Sequence, residues 1–255
     1  MAAKKERTER LDKVVSRVLG CSRSAATALI KQGEVAVNGV DKRDPQERIA
    51  LSGDLYFQEW PHDIAAAFAP RIVMLNKPQG YICADSDRHS PVVLSLLDLP
   101  RLDEVHCVGR LDLDTEGLLL LTDDGELNHR LCSPKYAVPK TYRALLRDPP
   151  QSSYVTAFAK GLWHAGEKKR YHSARLELRG GHEVEVTLTE GRYHEVKRMF
   201  ECVDNEVTAL RRISFGPLSL DPALESGQWR LLTFEESELL RGCCGYRHDD
   251  EDIPF

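Results

Sequence analysis

The sequence predicts an α+β protein in which a small α/β module precedes a domain built on a mixed, largely antiparallel sheet. Two patterns support this prediction: an opening helix–helix–hairpin segment, and then many short strand-like runs with few long helices. The length of 255 residues also exceeds one average domain. We expect the module at residues 8–58, a linker at 59–69, the main domain at 70–240 and a polar acidic tail at 241–255.

The opening module has clear boundary signals. Apolar residues at helical spacing predict a first helix, which ends before Gly20; they are Leu11, Val14, Val15, Val18 and Leu19. Ser22 is a good N-cap for a second short helix, which Gly33 ends. Asn38-Gly39 supplies the pair of positive φ angles that a tight hairpin turn requires.

The main domain begins with a strand-like run after the linker. In chain order, we expect strands near residues 71–75, 117–122, 141–146, 183–189 and 207–213, and helices near 126–131 and 194–203. The four consecutive leucines within residues 117–122 have the pattern of a buried strand.

Composition narrows the class of protein. The polar start MAAKKERTER has no apolar core of a secretory signal, and no apolar run is long enough to span a bilayer. Seven scattered cysteines without a CxxC pair indicate neither a disulfide framework nor a zinc site. These features predict a cytoplasmic protein that does not enter a membrane.

The charge is unevenly distributed. The net charge is −5, but residues 1–58 carry 11 Lys+Arg against 8 Asp+Glu. Residues 127–147 hold five basic residues and no acid. Because phosphate binding depends on local basic surface, the acidic total does not exclude RNA. In the opening module, Arg10, Lys13, Arg23 and Lys31 belong either to a solvated face or to a phosphate-binding surface.

An acidic cluster lies in GRLDLDTEGLLLLTDDGEL, residues 109–127. Its acids and one glycine match a calcium-loop template at Asp112, Asp114, Glu116, Gly117 and Asp123. The template fails because its last position is Asp instead of a bidentate Glu and because a core strand runs through it. We therefore expect no metal site. Asp112 either caps a turn or acts as a nucleophile or base that needs a nearby cation.

Four motifs in order resemble the RsuA family of pseudouridine synthases: LNKPQGYIC, the GRLD segment, KTYRALL and EGRYHEVKRMF. The opening module resembles the S4 RNA-binding domain that family members carry. Together the resemblance covers about residues 10–240. It implies the pseudouridine synthase fold and an isomerase that converts uridine in rRNA to pseudouridine, without a cofactor.

The resemblance also implies roles for single residues. Asp112 is the catalytic residue, Tyr142 lies against the target uracil, and Lys197 pairs with Asp112, a role that Arg198 or Arg192 could share. Arg110 either fills the vacated base stack or binds a flanking phosphate. On spacing alone, Tyr142 is a strand aromatic, Lys197 a solvated helix residue and Arg110 a member of a surface ion pair. His194 is expected to be structural.

The predicted RNA contacts extend over both domains. In addition to the four module residues named above, they comprise Lys140, Arg143, Arg192 and Arg198. Tyr-His in EGRYHEVKRMF and the segment GQWRLLT resemble the small-subunit branch of the family. The expected substrate is therefore position 516 of 16S rRNA, on a partly assembled small ribosomal subunit, with the enzyme a monomer. The alternatives are a 23S rRNA synthase of the same family and a non-catalytic rRNA-binding assembly factor.

Overall fold

The computed structural model describes residues 7–84, 86–165 and 168–246. Contacts divide the chain into two compact units, one ending at Pro70 and the other beginning at Arg71. Within the described residues, no helix has the length and apolar character needed to cross a membrane.

The N-terminal unit combines three helices with short strands. In chain order these are β1 (Thr8–Arg10), α1 (Leu11–Leu19), α2 (Arg23–Gln32), β2 (Val35–Val37), β3 (Val40–Lys42), β4 (Arg48–Ala50), β5 (Asp54–Phe57), β6 (Trp60–Asp63) and α3 (Ile64–Phe68). β1 pairs with β4, and the other strands form an antiparallel sheet in the order β3-β2-β5-β6.

The residues that the sequence predicts to cap the helices and to form the hairpin turn of this unit do so in the structure. Gly20 and Gly33 adopt the left-handed conformation at the ends of α1 and α2, and the Ser22 side chain accepts the Ala25 N–H. Asn38 and Gly39 both have positive φ and turn β2 into β3. The apolar faces of α1 and α2 pack on β2 and β5 in one small core.

The linker predicted for residues 59–69 is wrong. Residues 60–63 form β6, which pairs with β5, and residues 64–68 form α3. Asp63 caps α3 by accepting the Ala66 N–H, and Ile64 is fully buried in the core of the unit. Because the polar residues before Ile64 resemble a linker, the sequence did not predict the strand and the helix that complete this unit.

The second unit is built on one large sheet. In chain order its elements are β7 (Ile72–Lys77), β8 (His106–Cys107), β9 (Thr115–Thr122), α4 (Gly125–Cys132), β10 (Lys140–Leu146), α5 (Ser153–Ala159), β11 (Arg175–Gly180), β12 (Glu183–Leu188), α6 (Glu195–Glu201), β13 (Val207–Phe215), β14 (Leu218–Ser219), β15 (Trp229–Leu231) and α7 (Phe234–Cys243). The order is β11-β12-β10-β13-β9-β7-β15, with β14 on β13 and β8 on β9. Only β9 and β13 pair in parallel among these strands, so the sheet is mixed and largely antiparallel, as the sequence predicts.

Both faces of the central strands are buried. Leu119 and Leu121 of β9 belong to a core that includes residues of α5 and α6. Leu118 and Leu120 belong to a second core, which includes residues of α4 and α7. Successive side chains of a strand point to opposite faces, so the uninterrupted leucines of β9 serve two cores at once.

One row of residues crosses the middle of the sheet. Lys77 on β7 pairs with Gly117, which pairs with Arg212 on β13, which in turn pairs with Tyr142 on β10. Gly117 has a φ of +101°, and a Cβ there would lie 2.3 Å from the Arg212 carbonyl oxygen. Only glycine allows this close approach of β9 and β13.

The tail predicted at residues 241–255 begins too early. Residues 241–243 form the last turn of α7, and Leu240 and Cys244 are buried against the second core. The Tyr246 hydroxyl donates to Asp124. The remainder of the predicted tail lies outside the described residues.

Candidate active site

A small open cleft with a cavity volume of about 70 Å³ lies over the predicted catalytic residue. It contains five of the predicted site residues: Arg110, Asp112, Tyr142, Arg192 and Lys197. The loop before β9, the start of α6 and strands β10 and β13 contribute its walls. We call it the Asp112 cleft.

A buried lysine fixes the loop that carries Asp112. The Lys77 side chain is fully buried, and its Nζ donates to the carbonyl oxygens of Pro78 (3.0 Å), Asp112 (3.0 Å) and Thr115 (2.8 Å). Burial lowers the pKa of Lys77. Because two of its acceptors belong to the loop, Lys77 ties the backbone of Asp112 to the end of β7.

Two basic side chains of the α6 segment face Asp112. Lys197 Nζ lies 3.8 Å from Asp112 Oδ2, and His194 Nε2 lies 3.6 Å from Asp112 Oδ1. The hydrogen bonds of Lys197 go instead to both carboxylate oxygens of Asp114, at 2.6 and 2.8 Å. The hydrogen bond from Lys197 lowers the pKa of Asp114.

Lys197 pairs with Asp112 at ion-pair distance, as the resemblance implies, and it has a second partner, Asp114, that was not predicted. The two acids project from the same turn, and Asp114 takes the short contacts, while Asp112 stays within ion-pair distance. A single lysine thus serves two carboxylates, and the Asp112 carboxylate is left partly exposed to the cleft.

His194, which we expected to be structural, also lines the Asp112 cleft. It is the N-cap of α6 and has left-handed backbone angles (φ 51°, ψ 32°), which are uncommon outside glycine. Its ring stacks on Tyr193, with centroids 3.8 Å apart. Backbone strain of this kind clusters at functional sites.

Tyr142 also lines the Asp112 cleft. It is 8% exposed, and Arg212 Cζ lies 6.0 Å from its ring centroid. Arg212 is itself buried and donates from Nε to the Leu118 carbonyl oxygen at 2.7 Å. The ring is therefore held between the apolar core and the cleft.

Arg110 and Arg192 lie at the rim. Arg110 is exposed and makes no ion pair within the described part of the chain, so the surface ion pair that spacing alone suggests is not found there. Arg192 donates to the carbonyl oxygens of Lys169 and Arg170, and its guanidinium lies 4.4 Å from the Tyr171 ring centroid.

Three other predicted RNA-binding residues do not line the cleft. Lys140 donates to the Val138 carbonyl oxygen, and burial lowers its pKa. Arg143 pairs with Glu183 and Glu185, and Arg198 lies over the Tyr193 ring. The basic run at residues 127–147 is thus partly neutralised by acids of neighbouring strands, which its own sequence does not contain.

The predicted contacts of the N-terminal unit differ in their partners. Arg10 and Arg23 both bind the carboxylate of Asp12, and Lys13 binds Glu9. Lys31 is exposed and has no hydrogen bond or ion pair among the described residues. Lys31 is therefore the cation of this group that is most available to a phosphate.

The acidic cluster is spread along β9. Asp112 and Asp114 precede the strand, whereas Asp123 follows it and binds Arg71 at 2.7 Å. Within residues 7–84, 86–165 and 168–246, no three His, Cys, Asp or Glu side chains are grouped so as to hold a metal ion.

Sequence reasoning missed three contributors to the site. Lys77 belongs to the LNKPQGYIC motif, where a lysine at the end of a mainly apolar strand was a signal for a buried charge. His194 and Glu195 are in EGRYHEVKRMF, and Glu195 is 4% exposed at the first position of α6. A carboxylate there is indistinguishable in sequence from an ordinary helix-start acid.

Comparison with known families identifies both units. The RNA pseudouridylate synthase family matches residues 71–202, and the S4 domain family matches residues 9–55. The chain is 40% identical over 235 residues to the ribosomal small subunit pseudouridine synthase A of Haemophilus influenzae, covering 91% of this chain and 99% of that protein. It is 41% identical over 227 residues to the protein of that name from Escherichia coli, covering 89% and 97%.

A solved structure supports the same relationship. A crystal structure of a pseudouridylate synthase superimposes with a TM-score of 0.65 at 40% identity, covering 91% of this chain and 99% of that one.

Proposed function

Because the chain belongs to the RNA pseudouridylate synthase family, we propose that it isomerises one uridine of small-subunit rRNA, position 516 of 16S rRNA, to pseudouridine. The observation that carries this proposal is the Asp112 cleft, where one carboxylate lies beside two basic side chains and an aromatic ring. The names of the similar proteins support the small subunit as the source of the RNA.

The reaction breaks the bond between ribose C1′ and uracil N1 and forms a bond between C1′ and C5. The C5 proton is lost and N1 gains one, so atoms and electrons balance within the nucleotide. No oxidant, reductant or energy source is consumed, so the chemistry requires only groups that position the base and move protons.

Asp112 is the residue that reacts with the nucleotide. Lys197 and His194 lie within ion-pair distance of its carboxylate, and the tie from Lys77 to its backbone holds it in one position. A carboxylate so placed adds to the sugar or to the base, or removes a sugar proton.

Tyr142 and Arg110 bind the flipped nucleotide. The target base must leave its stack at a cost of a few kcal/mol, and an aromatic wall offsets this cost. Tyr142 provides the wall and a hydroxyl for proton transfer. Arg110, exposed at the rim, fills the vacated stack or binds a flanking phosphate.

The S4 unit brings a second RNA contact, through Lys31 and neighbouring cations. We propose that the enzyme acts as a monomer in the cytoplasm, on RNA of a partly assembled small subunit. Comparing free 16S rRNA, partly assembled particles and finished subunits as substrates tests this, and equal rates on all three would contradict it.

The decisive experiment maps carbodiimide-resistant pseudouridine in both rRNAs of a strain that lacks the gene. We expect one pseudouridine to be missing from 16S rRNA and to return with the wild-type protein but not with Asp112→Asn. A site missing from 23S rRNA alone would assign the enzyme to the large subunit. Restoration by Asp112→Asn would contradict the assigned chemistry, and no missing site would favour an assembly factor.

A further inference from the structure

Three consecutive basic residues, Lys168, Lys169 and Arg170, lie between α5 and β11, outside the reacting set. All three are exposed. Residues 168–175 contain four Lys+Arg and no Asp or Glu, yet none of them is among the RNA contacts predicted from the sequence. We call the three residues the 168–170 cations.

The 168–170 cations differ in their partners from the basic residues that follow them on β11. Arg175 pairs with Glu177, and Arg179 pairs with both Glu177 and Glu185. The side chains of the 168–170 cations have no ion pair or hydrogen bond within the part of the chain that the structure describes. Their charge is therefore available to an anion, whereas the charge of the β11 arginines is already neutralised within the fold.

The backbone of the 168–170 cations is fixed to the turn that lines the Asp112 cleft. Arg192, a cleft residue, donates from Nη1 to the carbonyl oxygens of Lys169 and Arg170, at 3.1 Å each. The N–H of His172 donates to Glu190 Oε1 at 2.7 Å, directly before this turn. The cations therefore have a defined place at the rim of the cleft.

An exposed aromatic ring belongs to the same rim. Tyr193 follows Arg192 in the turn and is 65% exposed. Its ring stacks on His194, whose Nε2 lies 3.6 Å from Asp112 Oδ1. Proteins hold single-stranded nucleic acid by combining cations, which contact the phosphates, with aromatic rings, which contact the bases. This combination favours RNA over an acidic protein as the occupant of the rim.

We propose that Lys168, Lys169 and Arg170 bind phosphates of the RNA strand that flanks the target uridine, where this strand passes Tyr193 at the rim. This inference rests on the proposed function of the Asp112 cleft. The contact lies away from the reacting bond, so it stabilises the bound substrate and the transition state equally. It therefore lowers KM without changing kcat.

The test compares two double variants that each remove two positive charges. Lys169→Gln/Arg170→Gln removes two of the 168–170 cations, and Arg175→Gln/Arg179→Gln removes the two paired arginines. On an rRNA fragment that contains the target uridine, we expect the first variant to raise KM about 10-fold at low salt and to leave kcat unchanged. It should also reduce the slope of log K against log salt by about 1.4, since each contact with a single strand contributes about 0.7.

The control variant, Arg175→Gln/Arg179→Gln, should follow the wild type in KM and in slope. Unchanged KM and slope in Lys169→Gln/Arg170→Gln would overturn the proposal. An effect of that variant on partly assembled particles but not on naked RNA would also overturn it, because it would indicate a protein partner.

Shortened RNA fragments identify the strand that the cations contact. One fragment ends close to the target uridine on its 5′ side and a second ends close to it on its 3′ side. Shortening on one of these sides should weaken binding to the wild type about as much as the double substitution does, and it should weaken binding to Lys169→Gln/Arg170→Gln much less. Losses that add fully on both sides would contradict a contact with the flanking strand.

These binding measurements use Asp112→Asn as the background, so that they do not depend on turnover. If the slope and the fragments behave as expected but the wild type makes no pseudouridine, the proposed function fails while the RNA contact stands. If the wild type makes pseudouridine but the slope is unchanged, the RNA contact fails while the proposed function stands.

Discussion

The ammonium of Lys77 lies beneath the loop that presents Asp112, with three carbonyl oxygens as its acceptors. A buried charge is costly unless its hydrogen bonds are complete, and these bonds meet that condition. The same bonds fix the loop backbone, so one residue links the stability of the sheet centre to the placement of the catalytic carboxylate.

Replacing Lys77 with Met should therefore affect stability and turnover together. Met fills a similar volume but removes the ammonium that donates to the carbonyl oxygens of Pro78, Asp112 and Thr115, so that Asp112 O keeps only the Thr115 N–H, and this loss should cost about 2–4 kcal/mol of unfolding free energy. The freed loop should lower kcat by about 10–100-fold. Denaturant titration and pseudouridine assays measure the two effects. Lys135→Met, at an exposed position, should change neither, and a Lys77→Met protein with full kcat would contradict the role.

Cys83 is a second residue that contacts the loop carrying Asp112. Its Sγ accepts the Leu111 N–H at 3.4 Å, one residue before Asp112. The hydrogen bond from Cys107, with Lys77 and Arg212 nearby, lowers the pKa of Cys83 to about 6. Cys202 is also partly buried, and burial raises its pKa.

These opposite shifts predict selective alkylation. A thiol with a pKa near 6 is mostly thiolate at pH 7, so iodoacetamide should modify Cys83 at least about 10-fold faster than Cys202. The rate at Cys83 should fall as the pH drops through 6, and modification should reduce turnover by displacing the Leu111 contact. Peptide mass spectrometry follows both sites. Equal rates at Cys83 and Cys202 would refute the assignment.

At the scale of elements, the sheet centre depends on how closely β9 and β13 approach. These parallel strands place Gly117 against the backbone of Arg212. Gly180 in β11 has a similar φ of +107°, but a Cβ there would meet nothing within 4 Å. Substitutions at these two glycines therefore distinguish the effect of an unfavourable φ from the effect of a steric clash.

Alanine at each position should give different losses of stability. Gly180→Ala introduces only the unfavourable φ, at about 1–2 kcal/mol. Gly117→Ala adds a clash with backbone that cannot move aside, so we expect about 3–5 kcal/mol and a marked loss of turnover. Urea unfolding of both variants checks the order. Similar losses at the two sites would show that the close approach is unimportant.

The same elements show which parts of the fold are visible in sequence. α1 and β9 are predictable because their apolar spacing is strong and local. β6 and α3 are not, since Trp60, Pro61 and His62 resemble a linker until β5 pairs with them. Local sequence patterns predict the longer apolar elements. Whether a short polar segment forms a strand depends on the strand that pairs with it.

The candidate site is likewise only partly predictable from the sequence. Asp112 is identified by its motif, and the resemblance to a family names Tyr142 and Lys197 with it. The sharing of Lys197 between two carboxylates depends on where Asp114 points, which spacing cannot reveal.

At the scale of the whole molecule, an acidic chain must bind a polyanion. Its net charge is −5, and several cations of the N-terminal unit are already paired with acids, as Arg23 is with Asp12. RNA binding by this unit should therefore depend on few residues. Lys31 on α2 is exposed and unpaired among the described residues, whereas Lys42 on β3 binds Glu47.

This contrast predicts how the salt dependence of RNA binding changes. Each phosphate that a protein neutralises releases counterions, so removing one contact lowers the slope of log K against log salt by about one. Lys31→Ala should weaken rRNA binding at low salt and reduce the slope by about that amount. Lys42→Ala should leave the slope nearly unchanged, because its ammonium is already neutralised within the fold. Filter binding across a salt series measures both. If Lys42→Ala changed the slope as much as Lys31→Ala, internal ion pairs would not determine which cations meet the RNA.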